Sequence, residues 1–364
     1  MKGKAAVLED FGGPLTMREY DVSSLAEGEV LVRITAAGVC GSDVHIAKGE
    51  DPRTPLPIIL GHEGVGEVAD IGGTKTDIFG TELAAGDPVM WERGIMCGRC
   101  YFCLIEKQPA LCLTRKTYGI SVSCQEPPHF RGCYGEYLHL LPGAHMIKLD
   151  GDIDPKVLVS ATCSGATAAH TVQLSNVNPG DDVLIIGPGP VGLWVLAFCV
   201  QAGAGRVWVS GTTADKGRLE LSKEFGASGT VNVDDYSAEE RLEWVMDATH
   251  GIGIGSIIDC TGVPQALADN VAMVAPYGTY SIPGIATPVG EWPVALYEHL
   301  ARKNVNLQGV WVSDTSHLYQ SIRLVQSGRF PFEKLVTHTY SLEEATEALA
   351  VMESREAIKA VFVP

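Results

Sequence analysis

From Val183 to Val200 the chain is almost wholly apolar, close to the ~18 residues at which a membrane-spanning helix becomes a candidate. Gly187-Pro188-Gly189-Pro190 interrupts that run and argues against a span. What remains is a buried strand at Asp182 to Ile186, a tight turn, and a buried helix reaching about Gln201, with a second strand at Arg206 to Val209. The turn Gly187-Pro188-Gly189-Pro190-Val191-Gly192 fits the pattern G-x-G-x-x-G. Strand, glycine turn, helix and strand within ~30 residues is the arrangement whose glycines admit a dinucleotide pyrophosphate against a helix N-terminus. Gly187, Gly189, Pro190, Val191 and Gly192 are therefore expected to contact a cofactor. Further strands at Ser256 to Cys260 and Gly278 to Ile282 continue the alternation and predict a doubly wound parallel sheet.

The rest of the composition narrows the setting. At 364 residues the chain exceeds one ordinary domain, and 46% hydrophobic against 20% charged residues provides for large cores. A formal charge of −17 repels nucleic acid and anionic bilayers, and no dense Lys/Arg cluster offsets it. The N-terminus turns acidic at Glu9-Asp10 before a signal-peptide core can form, which predicts a cytoplasmic protein bound to neither membrane nor nucleic acid.

In a reducing compartment, clustered thiols point to metal rather than disulfides. Cys97, Cys100, Cys103 and Cys112 follow C-x2-C-x2-C-x8-C, a spacing that closes four thiolates around one structural zinc ion with no position left for substrate. Elsewhere, Cys40 and Asp43 end the strand pattern of Val30 to Ile34, and His62 follows the apolar run Ile58-Ile59-Leu60. A thiolate and an imidazole are good zinc ligands, and Asp43 could accept the other ring proton of His62. Spacing alone does not bring them together. Cys199 and Cys260 read as core thiols, while Cys124 and Cys133 bracket a Pro127-Pro128-His129 loop without ligand spacing.

Gly38-Val39-Cys40-Gly41-Ser42-Asp43, then Gly61-His62-Glu63-x-x-Gly66, the four-cysteine lobe, Cys163 and the dinucleotide turn occur in the order shown by the zinc-dependent medium-chain alcohol dehydrogenases, and the chain resembles that family over nearly its whole length. The resemblance implies an α/β protein with a GroES-like, β-rich catalytic domain at 1–161 carrying the structural zinc lobe at 97–112. A Rossmann domain at 162–311 and a return to the catalytic domain at 312–364 complete it. It implies two zinc ions per chain. The catalytic one would be held by Cys40, His62 and Cys163, with Glu63 an occasional or neighbouring ligand and a fourth position open to water or alcohol. The implied activity is reversible hydride transfer from a zinc-bound alkoxide of a primary or secondary alcohol to NAD(P), giving an aldehyde or ketone. Ser42 and His45 match the family's proton relay, and Thr167 and Val191 match positions beside the nicotinamide. Trp91 and Arg93 fall where the family lines its substrate pocket, and the fork of Arg93 suits an anionic or hydroxyl-rich substrate. Family members are commonly homodimers or homotetramers acting on small alcohols or carbonyls, and the same is expected here.

Two departures bear on this reading. The segment Thr76 to Ala84 lengthens a surface loop. The second strand ends Ser210-Gly211-Thr212-Thr213, without the acid that normally bonds the adenosine ribose. Gly211, Thr212, Thr213, Lys216 and Arg218 could accommodate a 2′-phosphate, which favours NADP, whereas Asp215, if the turn folds back, would restore NAD. Polyol, sugar or threonine dehydrogenases of the same superfamily are the alternative, although many carry Glu where Cys163 stands. A zinc-free quinone reductase lacks Cys40 and His62.

Overall fold

A computed structural model describes residues 1–364 and divides them into two compact units, Met1–Ala166 with Ser313–Pro364, and Thr167–Val312. The first unit is β-rich. One sheet runs in the order Met146–Lys148, Pro88–Trp91, Glu63–Ile71, Val30–Val39, Lys359–Phe362 and Val336–Tyr340, with Tyr137–Leu140 also paired to the Val30–Val39 strand. A smaller sheet joins Leu15–Asp21, Lys2–Leu8 and Ile58–Ile59. The alternating apolar residues of these strands, among them Val30, Val32, Ile34, Val68, Val89 and Phe362, fill one buried core.

The long strand Val30–Val39 organises the functional end of this unit. On one edge Gly38 pairs with Glu63, and on the other Val361 pairs with Gly38 and Ala360 with Val39. Glu63 and Val361, nearly three hundred positions apart in sequence, therefore flank Gly38 two residues before Cys40. Gly38 is dictated by that crowding, because a Cβ there would lie 2.2 Å from Glu63 Oε2. The strand then ends and the short helix Gly41–Ala47 begins, with Asp43 Oδ2 accepting from the Cys40 backbone N–H at 2.8 Å. Thr76–Ala84 forms an ordered loop, tied by Asp77 Oδ1, which accepts from the backbone N–H groups of Phe79 and Thr81.

In the second unit six parallel strands lie in the order Gly229–Asn232, Arg206–Gly211, Asp182–Ile186, Ile254–Asp259, Val274–Ile282 and Asn306–Gly309. In chain order that is 3-2-1-4-5-6, the doubly wound arrangement with its switch point beside the first strand. The apolar run divides as the punctuation predicts, into the strand Asp182–Ile186 and the helix Pro190–Ala202, and no helix is long and apolar enough to cross a membrane. Leu184, Ile186, Ile257 and Tyr280 pack one core, and Trp208 meets Trp244 edge-on at 5.5 Å.

Candidate functional site

Cys40, His62, Glu63 and Cys163 come together in the β-rich unit with their ligand atoms all within 4.8 Å of one another. Each arrives differently. Cys40 stands between strand and helix, and Cys163 directly precedes the helix Ser164–Leu174. His62 directly precedes the strand that Glu63 opens, and both follow Gly61, whose φ of +90° lies in the left-handed region and whose missing Cβ leaves room for Tyr134. Cys40 Sγ lies 3.9 Å from Cys163 Sγ. The paired sulfurs drive their thiols apart, Cys40 well below and Cys163 well above the ordinary value.

His62 is buried, and its Nε2 has no hydrogen-bond partner, an expense that a metal bond would remove. Its Nδ1 faces Asp43 Oδ1 at 3.2 Å, while Tyr134 O–H and the Cys40 N–H hold the other Asp43 oxygen at 3.0 and 2.8 Å. Burial opposes a charged ring, yet Asp43 and Cys40 outweigh it and lift His62 to about 10. Two sulfurs, an orphaned imidazole nitrogen and an oriented carboxylate form a donor set that fits zinc with an open position.

Glu63 is not idle. Lys359 Nζ donates to both its oxygens at 2.9 and 2.8 Å and to Val39 O at 3.2 Å, with both side chains fully buried. Sequence reading missed Lys359; its signal was a single charge inside the apolar stretch Ile358-Lys359-Ala360-Val361-Phe362. A second buried network adjoins the cluster. Arg93 Nη1 donates to Cys163 Sγ at 2.6 Å, and Glu92 Oε1 accepts from Arg115 Nη2 at 2.9 Å and from the Gly94 N–H at 3.0 Å. Neither Glu92 nor Arg115 was singled out by sequence. Trp91, expected in a substrate pocket, is instead buried in the core against Gly64, where an aromatic face fills the space that Gly64 leaves.

The expected relay residues separate. Ser42 Oγ lies 3.8 Å from Cys40 Sγ, whereas His45 is on the exposed face of the same helix with Nδ1 2.5 Å from Glu50 Oε2. Thr167 belongs to the other unit, where its backbone carbonyl accepts from Thr171 Oγ1 at 2.7 Å.

The four-cysteine lobe is compact, with its sulfurs also within 4.8 Å of one another, the Cys97 N–H donating to Cys112 Sγ at 3.2 Å, and Cys100 Sγ 3.5 Å from Cys103 Sγ. The Arg99 backbone N–H pulls Cys97 down to about 6, so thiolate is available near neutrality. Four convergent sulfurs fit a closed zinc site.

In the second unit Gly189 caps the helix Pro190–Ala202 and has open space where a Cβ would be, with Pro190 and Val191 half-buried behind it. Gly192 lets the helix approach, since a Cβ there would fall 2.0 Å from Gly187 O. That cradle fits a pyrophosphate. At the end of the second strand Gly211 is confined by Pro188, and the turn folds back so that Asp215 lies beside it. Asp215 Oδ2 accepts from Thr212 N and Oγ1 at 3.0 and 2.8 Å, Arg218 Nη1 lies 3.7 Å from Asp215 Oδ1, and Asp234 accepts from the Thr213 N–H at 2.8 Å. Of the donors that the sequence offered to a 2′-phosphate, Thr212, Arg218 and the Thr213 N–H thus face carboxylates.

Comparison with known proteins agrees with this architecture. The family model described as alcohol dehydrogenase GroES-like domain matches residues 26–151, and the one described as zinc-binding dehydrogenase matches 190–327. The chain is 30% identical over 348 residues to 5-exo-hydroxycamphor dehydrogenase of Pseudomonas putida, covering 94% of each. It is 30% identical over 369 residues to L-threonine 3-dehydrogenase of Bacillus velezensis, covering 100% of this chain and 99% of that one. The crystal structure of an alcohol dehydrogenase from Thermotoga maritima superposes with a TM-score of 0.96 at 44% identity, with full coverage of both chains. The chain belongs to the zinc-type medium-chain dehydrogenase/reductase family.

Proposed function

We propose that the protein is a zinc-dependent alcohol dehydrogenase that interconverts a primary or secondary alcohol and its aldehyde or ketone with a nicotinamide dinucleotide. The observation that carries this reading is the convergence of Cys40, His62, Glu63 and Cys163 within 4.8 Å around a buried imidazole nitrogen that has no hydrogen-bond partner. Cys40, His62 and Cys163 would hold the catalytic zinc, and Cys97, Cys100, Cys103 and Cys112 the structural one. Bound at the first set, zinc supplies a Lewis acid that eases loss of the alcohol proton.

The chain's own groups do the rest. Asp43, 3.2 Å from His62 Nδ1, orients the ring and leaves Nε2 as the nitrogen that would bind the metal. Lys359, bonded to both oxygens of Glu63, keeps that carboxylate compensated beside the metal ligands rather than among them. Ser42 Oγ, next to Cys40, would take the substrate proton as it releases its own hydroxyl proton, and His45, paired with Glu50 on the exposed face of the same helix, would be the group that exchanges a proton with solvent. The cofactor lies on Gly187, Gly189 and Gly192. NAD is favoured over NADP because Asp215 and Asp234 occupy the Thr212 and Thr213 donors and oppose a 2′-phosphate.

Nicotinamide absorbance with zinc-loaded protein, NAD and NADP in parallel, tests this across primary and secondary alcohols, polyols, hydroxy acids and amino alcohols. Activity abolished by Cys40→Ala is the expected result, with kcat/KM at least about tenfold higher for NAD and that ratio reduced in Asp215→Asn. Turnover unaffected by Cys40→Ala would sink the reading.

A further inference from the structure

Across the switch point of the parallel sheet, the strand Ile254–Asp259 ends on a buried carboxylate. Asp259 is 3% exposed and pairs in register with Ile186, the residue before the glycine turn. Its Oδ1 accepts from the Thr261 N–H at 3.0 Å and from the Thr261 hydroxyl at 2.6 Å, and its Oδ2 accepts from the Tyr280 O–H at 3.1 Å. The Thr261 hydroxyl in turn accepts from the Val263 N–H at 3.1 Å, which commits its own proton to Asp259. Every partner of this carboxyl therefore donates, the pattern that suits its ionised form. Burial pushes the carboxyl upward, and Thr261 and Tyr280 oppose that shift by bonding the charged form.

No cation accompanies the charge. The partners of Asp259 are one backbone N–H and two hydroxyls, and no lysine, arginine or histidine pairs with it. Asp269, whose charge also reaches Tyr280, is itself paired with Arg241 at 3.3 Å, so those two together add none. Burial and the Asp259 charge hold the adjacent Cys260 as a neutral thiol. A buried carboxylate bonded only to neutral groups is costly, and its place in the fold gives it a use.

A dinucleotide lies across the switch point of such a sheet. With Asp215 beside the end of Arg206–Gly211 on the adenosine side, the end of Ile254–Asp259 falls to the nicotinamide side. Thr261 is all that separates the carboxylate from the turn, because its methyl carbon lies 2.8 Å from where a Gly187 Cβ would be. That residue is held in place by two backbones in close approach, for a Cβ on Gly262 would fall 2.5 Å from Gly284 O. Oxidised NAD and NADH share their phosphates and riboses and differ in the positive charge of the nicotinamide ring. A fixed negative charge is what tells them apart.

We propose that Asp259 is a specificity-determining residue for the oxidation state of the cofactor, its charge acting across Thr261 rather than by contact to favour oxidised NAD over NADH. The inference rests on the dehydrogenase reading above and deepens it. Tyr280 and Thr261 keep the carboxylate oriented and bear no charge of their own.

Dissociation constants of zinc-loaded protein for oxidised NAD, NADH and ADP-ribose, measured by calorimetry without substrate, test the proposal. Asp259→Asn removes the charge while its amide can still bond Thr261 and Tyr280. It is expected to weaken oxidised NAD by about tenfold, the scale of a unit-charge interaction over roughly 10 Å at an effective dielectric constant of about 20. NADH, and ADP-ribose, which has no ring, should stay within about twofold of the wild type. Asp259→Ser, neutral but smaller, should give the same ratio of NAD to NADH constants as Asp259→Asn.

A ratio unchanged from the wild type in both variants overturns the inference and leaves the dehydrogenase reading standing. Equal losses for all three ligands overturn it as well, since Asp259 would then act only by holding Thr261 against Gly187. A wild-type protein that binds none of the three refutes the dehydrogenase reading, and this inference falls with it.

Discussion

Replacing Lys359 by Met keeps most of the side-chain volume and removes one charge from a fully buried pair. In the native chain the ammonium donates to Glu63 Oε1, Glu63 Oε2 and Val39 O at 2.9, 2.8 and 3.2 Å. Lys359 is 1% exposed and Glu63 0%, so water can reach neither. Breaking such a pair by removing one partner costs about 3–5 kcal/mol, because the remaining charge has no partner. A second route gives a similar figure. Glu63 can escape by taking up a proton, and from an ordinary carboxyl value of 4.5 that costs about 3.4 kcal/mol at pH 7. With a urea slope of about 3 kcal/mol/M for a unit this large, the midpoint should fall by about 1 M or more.

The assay is urea unfolding of zinc-loaded protein for Lys359→Met, Glu63→Gln and the double variant. The double variant should recover about 2 kcal/mol relative to the sum of the single losses, because it removes the buried charge that each single variant leaves behind. A loss below about 1 kcal/mol in Lys359→Met, or losses that simply add, would refute the claim that these two residues form a buried compensated pair.

Gly38→Ala should destabilise the β-rich unit by about 1–3 kcal/mol and release zinc from the Cys40 cluster, because its Cβ would fall 2.2 Å from Glu63 Oε2; metal analysis beside a thermal melt checks both parts. Cys100→Ser should reduce zinc from two per chain to one and expose the 97–112 lobe to limited proteolysis, while Cys40 keeps its metal-dependent protection from alkylation. The pair His139 and Glu29, 2.9 Å apart, sets part of the acid limb. Burial lowers His139 from 6.5, and although burial opposes it, the Ala26 N–H and His139 hold Glu29 below 4.5. Both depressions favour the folded chain above the unfolded values, so stability should decline as pH falls below about 6.5 and again below about 4.5. His139→Gln should remove the upper step from a melting temperature against pH series, and an unchanged step would place its origin elsewhere.

What could be read from sequence was what local spacing encodes. The four-cysteine lobe lies within one short segment, and the cradle from Gly187 to Gly192 is one strand, one turn and the start of one helix, so neighbouring residues carry both patterns. Cys40 and His62 each looked ordinary, because what joins them is the pairing of the Val30–Val39 and Glu63–Ile71 strands, and Cys163 entered only through family likeness. Lys359 and the Glu92–Arg115 pair were not read, since burial of a charge depends on which strand closes over it. The Lys359–Phe362 strand inserts beside Val30–Val39, and that insertion turns a lone lysine into the partner of Glu63. Trp91 was misread for the same reason in reverse: an aromatic beside the cysteine lobe suits a pocket or a core equally until Gly64 shows which side it covers.

Asp215 shows how a folded turn can return a carboxylate to a strand end whose sequence lacks one. Gly211 stands where the ribose-binding acid is expected, and its missing Cβ would meet Pro188 Cδ at 2.9 Å, so a carboxylate side chain at that position is sterically excluded. The turn that follows brings Asp215 back, its Cβ 3.1 Å from where a Gly211 Cβ would be. Thr212, capping the turn through its N–H and hydroxyl, fixes that carboxylate. A motif scan anchored on strand end therefore sees no acid, whereas the folded turn presents one from four positions later. If the proposed NAD reading holds, lengthening or loosening the turn should lower the ratio of kcat/KM for NAD to that for NADP even with Asp215 intact.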